Sequence, residues 1–257
     1  MLYIGMPAYN EAKNLPFLLQ EICWLAEESL PWRDVTVVVV DDGSADDTAA
    51  VVRRFAAELD RARYPRLQIE LVPHEVNKGL AEAMKTLLSH VADRGGPRDV
   101  LVTMDGDNSH PPGLVVRMLQ LVGEGHDVVI ASRYQRGGRV LGLSWFRGFL
   151  SVGASWMFRL LFPIANVRDY TCGYRAYKVP VIQRALKENP NFVSERGFSC
   201  MVDILLKLRT TRPPLVMNEV PMVLRYDKKA GSSKMRVLRT VKDTLRLLLR
   251  RRLGNMS

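Results

Sequence analysis

The chain has 257 residues, 47 % hydrophobic and 25 % charged, with a formal net charge of +10. This is an ordinary globular composition with room for one large α/β domain and its core. An apolar uncharged run of about eighteen residues is missing, and Met1-Leu-Tyr-Ile-Gly-Met6 has no basic segment leading into an apolar one, so neither a membrane span nor a signal peptide is expected. Cys23, Cys172 and Cys200 are an odd set without metal-type spacing, which fits a reduced cytosolic protein with incidental thiols. The charge sits at one end. Residues 225–257 hold eleven basic and two acidic residues, and the rest of the chain holds 26 and 25. That tail suits an anionic surface, either membrane or nucleic acid.

In chain order, residues 2–6 predict a short strand, Pro7-Ala-Tyr-Asn-Glu11 a loop, and residues 14–28 a helix. Val35-Thr-Val-Val-Val-Val40 is a run of six β-branched residues, hence a buried strand. It ends in Asp41-Asp-Gly-Ser-Ala-Asp-Asp-Thr48, where Gly43 supplies a turn and Ser44 or Asp46 caps a helix over 47–60. A third strand spans 67–72, and Asn77-Lys-Gly79 turns into a helix over 80–93. Residues 94–97 break it, and a fourth strand spans 100–104. Its apolar run stops at two carboxylates, Asp105-Gly-Asp107, followed by Asn-Ser-His-Pro-Pro112. A helix over 113–122 and a strand over 127–131 follow. Strand–helix alternation of this kind marks a parallel sheet with crossover helices.

The carboxyl ends of parallel strands face one edge. Glu11, Asp41, Asp42, Asp105 and Asp107 are therefore expected to share a cleft, although Asp-x-Asp alone also fits a solvated turn. The sequence has no glycine-rich phosphate cradle of the dinucleotide or P-loop kind. A carboxylate-rich edge needs a metal to accept an anionic substrate.

Beyond that edge, Arg133-Tyr-Gln-Arg-Gly-Gly-Arg139 is a basic glycine-rich loop, suited to a phosphate or to solvent. Over 141–162, Ser144, Arg147, Gly148, Ser151 and Ser155 fall on one narrow helical face, and Trp145, Phe149, Val152, Trp156, Met157, Leu160 and Leu161 fill the rest. Such a helix is buried or lies against lipid. Asp169 lies in the loop before 171–177. Helices are expected over 179–187 and 199–208, and a late strand over 215–223. Arg225, Lys228, Lys229 and Lys234 line a loop containing Gly231-Ser-Ser. Residues 235–253 form an amphipathic pattern with leucines on one face and arginines on the other, packed on the domain or lying at a membrane surface. His74, His90 and His126 read as surface or loop residues, and His110 stands beside the paired carboxylates.

Pro7-Ala-Tyr-Asn-Glu11, Val39-Val-Asp-Asp-Gly-Ser-x-Asp-x-Thr48, Asn77-Lys-Gly79, Asp105-x-Asp107 and Ser132-Arg133 occur in one order at spacings that resemble family 2 glycosyltransferases of the GT-A fold. The dolichol-phosphate mannosyltransferase branch is the nearest likeness. It extends through Asp105-Gly-Asp-Asn-Ser-His-Pro-Pro112, Asp169-Tyr-Thr-Cys-Gly-Tyr-Arg175, Glu219-Val-Pro and Gly231-Ser-Ser-Lys234. The resemblance covers the chain. It implies a catalytic domain over 1–234, with 235–257 as the appended basic helix.

It also implies an inverting transfer of a sugar, mannose from GDP-mannose, onto dolichyl or polyprenyl phosphate. Asp107, with Asp105 assisting, would bind Mg²⁺ or Mn²⁺. Pro7, Tyr9, Glu11, Asp41, Asp42, Lys78, Asp105, Arg225 and Lys234 would bind the nucleotide-sugar, and Arg133, Arg147 and Ser151 the acceptor phosphate. Asp107 and Arg133 would be the catalytic pair. A phosphate acceptor is already anionic, so no general base is expected. Ser109 departs from the branch, which has a metal-holding glutamine there. A hydroxyl acceptor would instead need a base such as Asp169. A non-catalytic basic module is the rival of another class; lacking an aromatic stacking platform or reading helix, nucleic acid is not an expected partner. The expectation is a cytoplasmic protein docked peripherally at the membrane, alone or through a membrane-anchored partner.

Overall fold

The computed structural model describes residues 1–142, 145–195, 197 and 199–228; within the helix over 145–161 it describes positions 145–151 and 154 by backbone alone. The segment 235–257 and Lys234 lie outside the described residues.

The central strands form because their side chains are apolar on both faces, as strands covered by helices on two sides require, whereas the edge strand over 67–73 carries Gln68 and Glu70 and is largely half-buried. β1 (Leu2–Ala8), β2 (Val35–Asp41), β3 (Leu67–Pro73), β4 (Val100–Thr103) and β5 (Val128–Ser132) alternate with α1 (Leu15–Trp24), α2 (Thr48–Glu58), α3 (Leu80–Arg94) and α4 (Leu114–Gly123). All seven residues of β2 are buried. Each of Val37 to Val40 is fully covered, a gain of about 1.5–3 kcal/mol per side chain. The helix expected over 14–28 is α1 followed by a π turn over Leu25–Ser29. The N-cap position of α2 is Asp47, without a side-chain cap hydrogen bond, rather than Ser44 or Asp46; Asp46 Oδ1 accepts the Thr48 amide at 3.0 Å from just before it.

The second half adds β6 (Arg139–Leu141), α5 (Trp145–Leu161), β7 (Arg175–Lys178), α6 (Val179–Glu188), α7 (Ser199–Arg209), β8 (Met217–Pro221) and β9 (Val223–Arg225). The large sheet has the order β3-β2-β1-β4-β7-β5-β8, and a small one pairs β6 with β9. All pairings are parallel except those of β7, which runs against both β4 and β5.

Two features position the site. The chain leaves β1 toward β2 and β3 on one side and returns as β4 on the other, so a crevice opens at the carboxyl ends of β1 and β4. Because β7 is reversed, its amino end meets the carboxyl ends of its neighbours, which brings the loop before it, with Asp169, to the same edge.

The late strand expected over 215–223 is two strands in two sheets. Pro221 has no amide to continue the ladder beside β5. Met222 then donates its amide to Ser132 O and accepts that of Arg139, and so hands the chain to the small sheet.

Candidate active site

The Asp105-Gly-Asp107 loop leaves β4 against the end of β1. A Cβ on Gly106 would stand 3.4 Å from Pro7 O and 3.5 Å from Ala8 Cβ, so the two loops are in contact. The two carboxylates have different surroundings. The Asp105 side chain is 37 % exposed, and its amide donates to His110 Nδ1 at 3.0 Å. His110 stacks on Tyr174 at 4.9 Å and is a structural prop for the loop. Asp107 is 8 % exposed. Its Oδ1 accepts both the amide and the hydroxyl of Ser109. Ser109 thus orients the second carboxylate of the pair, and its carbonyl accepts the Arg225 amide at 3.0 Å, which ties β9 to this loop.

Tyr226, just beyond β9, completes the corner. Burial pushes its phenol up to about 12; Arg133 opposes this and the charges of Asp105 and Asp107 add to it. The hydroxyl therefore lies in the field of both site carboxylates and of Arg133. Sequence reasoning passed over it because the neighbouring charges dominate that stretch.

The β1 and β2 loops are laced together. Asn10 adopts φ 54°, a left-handed conformation asparagine tolerates. Its amide donates to Ser44 Oγ at 2.8 Å and its Oδ1 accepts from Ala45 at 2.8 Å. Asp41 Oδ1 accepts the Ser44 amide and hydroxyl. Glu11 is buried, its Oε2 accepting from Asn14 at 2.6 Å. Tyr9 is 36 % exposed at the rim.

Asp42 faces its own backbone. Oδ1 accepts the Lys78 amide at 2.9 Å, Oδ2 that of Gly79 at 2.8 Å, and His74 Nδ1 lies 2.8 Å from Oδ1. Asp42 thus pins the loop that carries the exposed Lys78. His74, expected at the surface or in a loop, lies in the loop after β3 with a side chain only 6 % exposed; it is held between Asp42 and Thr86. Gly43 is at φ +64°, and a Cβ there would come within 2.3 Å of the Val76 carbonyl carbon, so glycine is required where these loops touch.

Farther along the same edge, after β5, stands Arg133. Its Nε and Nη2 form a fork on Asp169 at 2.8 and 2.7 Å, its amide donates to Asp169 Oδ2, and Nη2 also reaches Thr171 Oγ1. Asp169 is fully buried. Burial alone would raise its pKa, but the Arg133 guanidinium reverses this and holds it below the usual carboxylate range. Burial likewise opposes the charge on Arg133, and Asp169 outweighs it, raising that pKa. Glu219 supports the pair: Oε1 accepts the amides of Arg168 and Asp169, both at 2.6 Å. Burial raises the Glu219 pKa against those two hydrogen bonds.

Of the other expected ligands, Arg225 is paired with Asp227 at 2.8 Å on the surface. Arg147 and Ser151 belong to α5, but their side chains lie outside the described residues. The thiols take no part: Cys172 and Cys200 are buried and pushed up to about 12 by desolvation.

A family model, Glycosyl transferase family 2, matches residues 3–186. The chain belongs to glycosyl transferase family 2. Similar proteins include a polyprenol monophosphomannose synthase of Mycolicibacterium smegmatis, 34 % identical over 90 % of this chain and 79 % of that one. An undecaprenyl-phosphate mannosyltransferase of Micrococcus luteus is 31 % identical over 90 % and 85 %. A dolichol-phosphate mannosyltransferase of Pyrococcus furiosus is 28 % identical over 95 % of this chain, which spans 62 % of that protein. Among solved structures, glucosyl-3-phosphoglycerate synthase from Mycobacterium tuberculosis, crystallised with Mn²⁺, UDP and phosphoglyceric acid, matches with TM-score 0.62 at 19 % identity over 99 % of this chain and 78 % of that one. The fold is GT-A. As a family 2 glycosyltransferase the chain is an enzyme, which sets aside the non-catalytic binding module.

Among the described residues no cluster of three metal-type side chains occurs. Two carboxylates at the crevice nevertheless fit Mg²⁺ or Mn²⁺, hard cations commonly held by one or two carboxylates, with substrate phosphates and water completing the shell.

Proposed function

We propose that this glycosyltransferase moves mannose from GDP-mannose onto the phosphate of a polyprenyl or dolichyl lipid at the cytoplasmic face of a membrane, inverting the anomeric centre. The observation that carries this reading is the pair Asp105 and Asp107 at the end of β4, with Arg133, held by the buried Asp169, farther along the same edge after β5. The polyprenyl-phosphate mannosyltransferases among its relatives support the choice of donor and acceptor.

Asp105 and Asp107 would hold Mg²⁺ or Mn²⁺, which neutralises charge on a leaving diphosphate. Pro7, Tyr9, Glu11 and Asp41 line the nucleoside side. Asp42 serves by fixing the Lys78 loop, and Arg225 and Lys234 by flanking the diphosphate. The donors of Arg133 not spent on Asp169, together with Arg147 and Ser151, hold the acceptor phosphate. Spacings of four place positions 147, 151 and 155 on one face of α5.

A phosphate attacks without deprotonation, so positioning suffices. The base that a hydroxyl acceptor needs is not supplied by Asp169, which is fully buried and committed to Arg133. The test is transfer of labelled sugar from GDP-mannose, with Mn²⁺, onto a polyprenyl phosphate and onto the matching polyprenol. Product on the phosphate alone is expected. Product on the polyprenol, or preference for a UDP-sugar, would overturn the acceptor or the donor assignment.

A further inference from the structure

Over residues 155–160, helix α5 turns Ser155 and Phe158 inward and Trp156 and Leu160 outward. On the inner face Ser155 donates to Arg168 O at 2.6 Å, and Phe158 stacks on Tyr170 at 5.5 Å. On the outer face Val152, Trp156 and Leu160 follow at intervals of four and are 44 %, 63 % and 82 % exposed. Scattered exposed apolar residues are ordinary, but a contiguous row marks an interaction surface.

Beside the row lies a groove of about 460 Å³, lined by Trp156, Leu160, Pro163, Ile164, Arg159 and Arg168 among others, with no carboxylate in its lining. The Arg159 guanidinium sits 4.7 Å over the Trp156 ring. An apolar leading residue, an indole behind it and arginines at the level of the indole match a bilayer surface, with acyl chains beneath and anionic headgroups around. The arginines make the surface unsuited to a purely apolar protein groove and complementary to negative charge.

The row is continuous with the proposed acceptor site. Arg168, in the groove, and Asp169, which holds Arg133, donate successive amides to the same Glu219 oxygen.

We propose that Val152, Trp156 and Leu160, flanked by Arg159 and Arg168, seat the enzyme on an anionic phospholipid bilayer, with Arg133 facing the headgroup layer where a lipid phosphate arrives. This rests on the lipid-phosphate reading of the function and specifies the surface that makes it possible.

The test uses vesicles of equal parts phosphatidylcholine and phosphatidylglycerol with brominated acyl chains, which quench tryptophans that penetrate. The full chain should be quenched. Trp156→Phe should abolish most of the quenching, whereas Trp24→Phe and Trp32→Phe, at positions 53 % and 73 % exposed on another part of the surface, should leave it intact. Leu160→Ser should weaken vesicle binding about tenfold and leave transfer to a short, water-soluble prenyl phosphate unchanged. Quenching that survives Trp156→Phe, or that disappears with Trp24→Phe or Trp32→Phe, overturns the surface. So does a Leu160→Ser variant that changes oligomeric state but not vesicle binding. Failure of the wild type to use the short acceptor would strike the proposed function, while the quenching pattern judges the surface separately.

Discussion

Asp107 is held by a residue that, in the sequence, departs from the resembling branch. Ser109 stands where the resembling branch has a glutamine, and its hydroxyl and amide both go to Asp107 Oδ1. Replacing Asp107 with Ala should cut transfer by about 10²–10³, the cost of removing one preorganised electrostatic group; rates with Mn²⁺, on protein shown to be folded by circular dichroism, check this. Ser109→Ala loses one hydrogen bond of about 0.5–1.5 kcal/mol. It should weaken the Mn²⁺ dependence of transfer about two- to tenfold while leaving folding intact. Gly106→Ala should be close to neutral in both assays, since a Cβ there meets only ordinary contacts. The position of the two carboxylates at the sheet edge was legible from the sequence because the apolar run of β4 stops at them, and the other strand ends carry acids as well. Tyr226 and the Asp42–His74 pair were not, because their positions depend on loops meeting across the fold.

At the level of elements, the proposed acceptor site depends on a chain of support from Glu219 on β8, through Asp169 before β7, to Arg133 after β5. Asp169→Asn would leave a largely buried guanidinium without its counter-charge, a loss of about 3–5 kcal/mol, visible as a lower urea midpoint. It should also raise KM for the lipid phosphate more than KM for the donor.

The two supporting carboxylates titrate with opposite signs. Asp169, held below its ordinary 3.8, stabilises the fold above that value and loses this stabilisation as pH falls through the lowered pKa. Glu219, raised above its ordinary 4.5, does the reverse: stability rises as pH falls from neutrality through its raised pKa. Stability should therefore pass through a maximum in the mildly acidic range, and Glu219→Gln should flatten the neutral side of that curve in thermal melts. The helices and parallel strands of the first half were readable from their periodicity. The reversal of β7 was not, since four residues carry no mark of direction, and neither was the break at Met222, where Pro221 was the only local sign.

For the whole molecule, donor binding should register as added stability. GDP-mannose with Mn²⁺ at about 100 times its Kd contributes about 2.7 kcal/mol. For a chain of this size that is roughly 5–10 °C in Tm. The shift should require Mn²⁺ and vanish in Asp107→Ala; an equal shift without metal would remove the carboxylate pair from donor binding. The overall architecture could be anticipated because strand–helix alternation admits few topologies, and the shared sheet edge follows from parallel pairing alone. The reach of the basic tail could not be settled in the same way, since its pattern is satisfied equally by the domain and by lipid.

The reversed β7 strand has one more consequence. It seams β4 to β5 through ladders of only four and three residue pairs. The two sides are also tied across that seam, by the Arg225 amide on Ser109 O and by α3 packed on α6. Lengthening the chain between α5 and β7 would therefore add bulk beside Asp169 and Arg133 while leaving the β1 and β2 loops, where the nucleoside is proposed to bind, as they are.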